Sequence, residues 1–223
     1  CRINNLILKL RTSSIIASLL LSFCASLYCQ SQSESSIYSH KESRNEDFAT
    51  VIIDLKHFVE LEVSTSSESG FYITDEKQSG EYKDALILNT KVVNDTLFVT
   101  DPLNPTFEFP QDKLSAHKIT DTKAILILPI NKDAFFNLSN ANLHLKGKFE
   151  NVIVNIHSGN VYLTDLYGDL QITSVNADIT GEGLNDYSFE ATSRNGRKKI
   201  DNSHDNRRYL LKVESINGNI HLK

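Results

Sequence analysis

The sequence predicts an all-β fold, a single-domain β-solenoid with an irregular β portion at its N-terminal end. Three observations predict it. Apolar and polar residues alternate over short stretches such as FVELEV at residues 58–63, which is the period of a half-buried strand. Segments of the second half align on one small residue at nearly constant spacing. No aligned segment carries apolar residues at helical spacing over two turns.

The aligned segments begin at residues 135, 153, 171, 190 and 212, and each reads like IVNIHSGNVYL. The shared small residues are Ala141, Gly159, Ala177, Gly196 and Gly218, at spacings of 18, 18, 19 and 22. A period near 20 is typical of stacked coils. We therefore expect residues 135–223 to form coils of about 18–22 residues, each strand about 4.8 Å from its equivalent in the next coil.

The alternation assigns an inward and an outward side to these coils. Two and four residues after the small residue stand the apolar, inward positions: Leu143, Val161, Ile179, Ile220, Leu145, Leu163, Ile200 and Leu222. Between them lies an outward ladder of His144, Tyr162, Thr180, Lys199 and His221. The fourth coil departs from the pattern, since Lys198 takes an inward place, and we expect it to be bulged. The last repeat strand has no cap after it, so we expect the C-terminal strand to be an edge that could pair with a partner.

Residues 47–134 do not follow the 18-residue rule but still read as β. Short strand candidates such as GFYIT, DALILNT, TLFVTD and KAILILP are separated by polar or proline-containing breaks. Five coils alone would leave an exposed edge at their start, so we expect this irregular β portion to be continuous with the coils in one domain, residues 47–223.

Residues 1–29 read as an export signal. Lys9 and Arg11 precede an apolar run of signal-peptide length, SIIASLLLSFCASLYC, which is short for a membrane span. The alternatives to a cleaved signal peptide are a retained N-terminal membrane anchor and lipidation at Cys24 or Cys29. Because the chain starts at Cys1 and has no Met, we expect that its true start is missing, by truncation or through an unusual start codon. Residues 30–46 are rich in Ser, Glu and Gln and predict a flexible polar linker.

Composition and charge exclude several classes of function. The formal net charge is −5, and without the three basic residues of the leader 20 basic and 28 acidic residues remain, or −8. An acidic body argues against nucleic acid as a partner. All three cysteines lie in the first 29 residues, so disulfides and thiolate metal sites are not expected in the folded part.

The segments SGNVYLTDLYGDLQITSVNADITGEG and SINGNIHLK carry a family resemblance. Their strand–Gly–Asn/Asp–strand rhythm resembles that of exported bacterial proteins known as "putative adhesins" of unknown function, and is similar to the head GIN adhesin-like domains. The resemblance spans about residues 48–223. It implies a rigid β scaffold at the envelope or cell surface, and it brings no catalytic residues with it. The export signal predicts the periplasm or outer surface of a Gram-negative bacterium.

The sequence offers no strong catalytic or metal-binding pattern. Its seven histidines are scattered, and His144 and His221 would lie about 19 Å apart on coils stacked in chain order. No HExxH, GGxGxD or GxSxG motif occurs. Carboxylates near one another on the coils are the remaining catalytic candidates: Asp165, Asp169, Asp178 and Asp186. We expect no catalytic, cofactor or metal site.

Three functions are compatible with these observations. The first is a non-enzymatic envelope or cell-surface protein that binds glycan, peptide or another envelope protein, with membrane contact only through the leader or a lipid anchor. Its ligand would contact the outward ladder of His144, Tyr162, Thr180 and His221. The second is a carbohydrate-active enzyme, a polysaccharide lyase or hydrolase built on a β-helix. The third is a structural subunit that assembles through its C-terminal edge.

Overall fold

The computed structural model describes residues 38–77, 85–107, 122–201 and 207–223, all of which belong to one compact unit, Ile37–Lys223. The predicted export signal and residues 30–37 of the predicted linker lie outside these residues. The strands are β1 (Tyr38–Arg44), β2 (Thr50–Leu55), β3 (Glu60–Ser66), β4 (Phe71–Lys77), β5 (Asn89–Val93), β6 (Thr96–Thr100), β7 (Thr122–Pro129), β8 (Asp133–Glu182), β9 (Tyr187–Ser193), β10 (Lys198–Ile200), β11 (Tyr209–Ser215) and β12 (Ile220–Leu222).

All of these strands join one curled sheet of 12 strands, so the prediction of an all-β fold is confirmed. The solenoid stays a prediction. Strand β1 pairs antiparallel with β4, β4 with β7, and β5 with β6, and the last strands do not stack in the order of the sequence. Both features differ from a chain that winds uniformly.

Strand β8 is a continuous extended segment of 50 residues, and it contributes to the sheet three times in succession. Each contribution is here called a pass. The side chains of Asn151, Ser158 and Asn160 each bond to a residue 18 positions earlier. The first, second and third passes are residues 133–145, 151–163 and 169–181. In the first pass residues 133–138 pair with β2 and residues 142–145 pair with β3, so one pass contributes to two parts of the sheet.

These two parts, here called the first and second half-sheets, enclose the core. The first half-sheet contains β5, β6, β2, the starts of the three passes, β11 and β9; the second contains β1, β4, β7, β3, the ends of the passes, β12 and β10. Buried rows run across neighbouring strands of each. The first half-sheet contributes Leu97, Val51, Ala134, Val152, Leu170 and Leu211; the second contributes Ala124, Leu61, Leu143, Val161, Ile179 and Ile220. The parallel stack therefore extends through β2 and β3 into the portion predicted to be irregular.

The corner between the half-sheets is built on the small residues that aligned the sequence. A β-carbon on Gly159 would overlap the carbonyl oxygen of Ala141, and one on Gly218 would overlap that of Ala177. Gly159 also has a φ of 118°, which L side chains rarely adopt. Asparagine side chains bond from strand to strand beside this row, as Asn217 does to Asn176 at 2.6 Å.

The last two segments stack in the reverse of their chain order, which corrects the expected arrangement. Strand β11 pairs with the third pass on one side and β9 on the other, and β12 likewise lies between the third pass and β10. The C-terminal strand is therefore interior, and β9 with β10 forms the end of the stack. The predicted uncapped C-terminal edge is wrong.

Lys198 supplies the physical reason for this order. It stands in register with buried Ile220, yet its side chain is exposed and its ammonium donates to the carbonyl oxygen of Ala191 at 3.1 Å. At an interior position the ammonium would be buried away from water, and the free-energy cost would be far higher than at an edge position, where water reaches it. Natural sheets place inward-facing lysines on edge strands. The apolar C-terminal segment fills the interior place instead.

The predicted linker also needs correction, because β1 lies inside it. Residues 38–44 pair antiparallel with β4 along their whole length. The half-buried Glu42 accepts a hydrogen bond from Thr90 of β5 and forms an ion pair with Arg44. Backbone pairing and these polar contacts order a segment whose composition alone suggested disorder.

The inward and outward assignment can be tested with one substitution on each side. Val161→Asp should lower the free energy of unfolding by about 3–5 kcal/mol, because it places an unpaired charge at a fully buried position. Tyr162→Asp, at a position 37% exposed, should cost about 1 kcal/mol. Urea unfolding of the two variants measures this, and equal losses would contradict the assignment.

The order of the last two segments can be tested by cross-linking in a background where the leader cysteines are replaced by serine. Glu214 is in register with Thr192 on one side and Thr173 on the other. Neighbouring strands lie about 4.8 Å apart, within disulfide range, so E214C/T192C and E214C/T173C should both cross-link. The control T173C/T192C spans two spacings, about 9.6 Å, and should not. Peptide mass spectrometry reads the result, and a cross-link in T173C/T192C together with none in E214C/T173C would restore the chain order.

Candidate functional site

The predicted outward ladder is brought together on neighbouring strands of the second half-sheet. The rings of His144 and Tyr162 stack with centroids 4.6 Å apart and planes 19° from parallel. One pass further, Thr180 is in register with His221 of β12. The two histidines are thus three strand spacings apart, about 14 Å rather than the expected 19 Å, because the C-terminal segment is interior. They remain too far apart to share a metal ion. A ligand role for this ladder stays a prediction.

The ladder continues beyond His144 to Glu62 of β3, where an ion pair occupies the surface. Lys123 lies 2.6 Å from a carboxylate oxygen of Glu62 and 3.5 Å from one of Glu60. The hydrogen bond that Lys123 donates to Glu62 raises the pKa of Lys123. Lys123 therefore offsets one of the two carboxylate charges at this end of the ladder.

A second outward row, on the first half-sheet, was missed in the sequence. Ile52 is in register with Phe98 on one side and Phe135 on the other, and Ile153 stands 18 residues after Phe135. Phe98 is 37% and Phe135 is 38% exposed, and both isoleucines are partly exposed. These four residues form an apolar row across four neighbouring strands, here called the apolar ladder.

The sequence did contain a signal for this row. Each of the four strands carries three consecutive apolar residues, where simple alternation would place a polar one in the middle: Leu97–Phe98–Val99, Val51–Ile52–Ile53, Ala134–Phe135–Phe136 and Val152–Ile153–Val154. The outer two of each triplet are buried, so the middle one faces outward. At the same place the later strands carry Gln171, Lys212 and Glu190. The apolar ladder therefore ends in the middle of the half-sheet.

Hydrogen-bonding side chains border the apolar ladder on both sides. On one side Asn137 donates to Asp54 at 2.9 Å. On the other side Asn151 donates to Asp133 at 2.9 Å, and Asp169 accepts the backbone N–H of Leu210 at 2.9 Å. A shallow groove of about 390 Å³ runs along this second border. Its lining includes Asp133, Phe135, Asn151, Ile153, Asp169 and Leu210.

A cluster of tyrosines lies near the turns that connect successive passes. Buried Tyr187 donates its hydroxyl proton to the carbonyl oxygen of Gly168 at 2.5 Å, and burial raises the pKa of this hydroxyl. Tyr209 packs against it, and Arg208 lies over the Tyr209 ring. These contacts hold the end of the stack together, and Tyr187 has no exposed polar group to offer a ligand.

Three of the four carboxylates considered for catalysis take part in structural contacts. Asp178 accepts hydrogen bonds from the backbone and side chain of Asn219, Asp169 caps the start of β11, and Asp165 pairs with Lys146 at 3.5 Å. Within the described ranges, no group of three or more His, Cys, Asp or Glu side chains could hold a metal ion.

Another groove, of about 350 Å³, contains Asp101. Its carboxylate is 3% exposed and accepts the backbone N–H groups of Lys56, His57 and Phe58 at 2.6–3.0 Å. A carboxylate held by several N–H groups stabilises the loop that supplies them. Asp101 thus ties the turn between β2 and β3 to the end of β6, a structural role.

Among the described residues, no helix has both the length and the apolar character to span a membrane.

Comparison with known proteins gives a likeness of fold. No family model and no curated protein matches the chain. A "putative cell adhesion protein" from Clostridium sporogenes superposes with a TM-score of 0.52 at 11% identity, over 83% of this chain and 99% of that one. A "putative adhesin" from Bacteroides fragilis gives 0.37 at 11% identity, over 85% and 98%. A "putative lipid binding protein" from Parabacteroides distasonis gives 0.30 at 10%, over 85% and 98%. At such identities the likeness concerns the fold and leaves the ligand open.

The structural role of Asp101 generates a prediction. Asp101→Asn should lower the free energy of unfolding by about 2 kcal/mol, since the amide cannot replace the carboxylate as acceptor for all three N–H groups. The same change at the partly exposed Asp54 is the matched control and should cost under about 0.5 kcal/mol. Urea denaturation compares the two, and equal effects would refute the role given to Asp101.

Proposed function

We propose that this chain is a non-enzymatic protein of the bacterial envelope or cell surface, whose β-solenoid scaffold presents outward side chains for binding or adhesion. The observation that carries the proposal is the apolar ladder. Four strands fixed in parallel register expose large apolar side chains side by side, at outward positions that are ordinarily polar. Contiguous exposed apolar residues rimmed by polar ones are typical of interaction sites.

The rigidity of the scaffold supports the same proposal. Every strand from β6 to β9 in the first half-sheet has a hydrogen-bonded neighbour on each side except at the end of the stack. Inward positions are fully buried along whole rows, while outward positions vary from Phe to Glu. Such a sheet fixes the spacing of outward groups without depending on which groups they are, as a binding surface requires.

Export is the second part of the proposal. It is supported by the basic and apolar composition of residues 1–29 and by the fold shared with a protein described as an adhesion protein. Residues 1–29 would act as a signal peptide, and the protein would lie in the periplasm or on the outer surface.

The enzymatic alternative has one observation in its favour. Asp133 and Asp169 border the same groove two strand spacings apart, about 9.6 Å, near the 6.5–9.5 Å of inverting glycosidases. Both carboxylates already accept hydrogen bonds that connect strands. A structural role for the pair explains their place without catalysis, and we therefore favour the binding function.

Adhesion can be measured with beads that carry the full chain, passed over surfaces coated with polysaccharide, protein or phospholipid. We expect retention on at least one surface well above that of beads without protein. In parallel, soluble polysaccharides incubated with the protein should yield no new reducing ends and no unsaturated products. Absence of retention on every surface, or polysaccharide turnover that Asp169→Asn abolishes, would contradict the proposed function.

A further inference from the structure

We propose that the apolar ladder is a binding site for a neutral glycan chain, with Phe98 and Phe135 as the stacking platforms. This inference rests on the proposed binding function and names its site and ligand class. It also places the site on the first half-sheet, away from the outward ladder of His144, Tyr162, Thr180 and His221.

The dimensions of the apolar ladder favour a narrow, linear ligand. Four residues on neighbouring strands span three spacings, about 14 Å, and rows on one face of a strand lie about 7 Å apart. The apolar stripe therefore covers on the order of 100–200 Å², against about 800 Å² per partner in a stable protein interface. A second copy of the chain would find too little apolar surface there.

The borders of the ladder match the chemistry of a sugar. A pyranose ring presents C–H groups on its faces and hydroxyl groups around its edge. Aromatic faces carry partial negative charge and pack well against such C–H groups. The carboxylates and amides of Asp54, Asn137, Asp133 and Asn151 lie on both sides of the ladder, where they can accept hydrogen bonds from hydroxyls or donate hydrogen bonds to them.

Charge disfavours the competing linear ligands. Asp54 and Asp133 border the ladder, and Asp169 continues the second border along the groove. These three carboxylates oppose a polyanion, whether an acidic glycan or a phospholipid headgroup, and they outnumber the exposed Lys91 that is in register with Phe98. Lys212 also lines the groove but is paired with Glu214 at 2.9 Å. An acyl chain also gains little from an open row, because its binding depends on removing apolar surface from water.

The test is affinity electrophoresis of the full chain in gels that contain hydroxyethyl cellulose, xylan or dextran, with alginate as the anionic comparison. At least one neutral polysaccharide should retard the wild-type protein. The double variant F98S/F135S should lose roughly tenfold or more in affinity, because central aromatic anchors dominate such sites. F135Y keeps the ring and should keep the retardation.

Tyr167→Ser is the matched control, since Tyr167 is 38% exposed and lies outside both ladders. It should leave retardation unchanged, and equal urea midpoints for F98S/F135S and Y167S would show that both remain folded. Loss in Y162S with retention in F98S/F135S would overturn the site, because it would place binding on the outward ladder. Stronger retardation by alginate, or ladder-dependent binding to phosphatidylcholine vesicles in flotation, would overturn the ligand class.

The outcome separates this inference from the proposed function. If beads adhere to a protein surface while no neutral polysaccharide retards the chain, the glycan site is wrong and the binding function stands. If the beads adhere to nothing and no polysaccharide retards the chain, both are wrong.

Discussion

The register between parallel strands is the constraint on which the rest of this structure depends. In each pass of β8 the same position must face inward, because a slip of one residue would turn every apolar side chain of that pass to solvent. The corner holds the register. Gly159 fits against the carbonyl oxygen of Ala141 only without a β-carbon, and the neighbouring asparagines bond from one strand to the next. Backbone crowding and side-chain hydrogen bonds therefore fix the same alignment independently.

The end of the stack shows how one charged residue selects a topology. Residues 187–200 follow the third pass in sequence, yet residues 209–222 take the place beside it. The segment with Lys198 can satisfy its ammonium only where solvent reaches it, while the segment with Ile220 and Leu222 gains by burial on both sides. The arrangement hides the C-terminal strand and leaves at the edge a segment that carries an inward lysine, a feature that discourages pairing with other chains.

Fixed register also explains how a binding surface can arise on this scaffold. Outward positions of neighbouring strands are about 4.8 Å apart and carry no part of the core, so their composition is free to change from strand to strand. On the first half-sheet they begin as Phe98, Ile52, Phe135 and Ile153 and become polar from Gln171 onward. The polar bonds along the borders, such as Asn137 to Asp54, keep the strands in register while leaving further acceptor positions open.

The alternation of residue types by itself determined that this chain is all-β and which side chains face the core: Val161, Ile179 and Ile220 were assigned inward from sequence and are buried. It also located the small residues of the corner. Period-2 alternation, however, specifies a face and not a neighbour. The interior place of β12, the pairing of β1 with β4, and the contiguity of the apolar ladder all depend on which distant strands share backbone hydrogen bonds. This pairing of distant strands depends on which segments gain most free energy from buried positions and which are least destabilised at an edge. Only the tertiary structure shows which segment occupies each position.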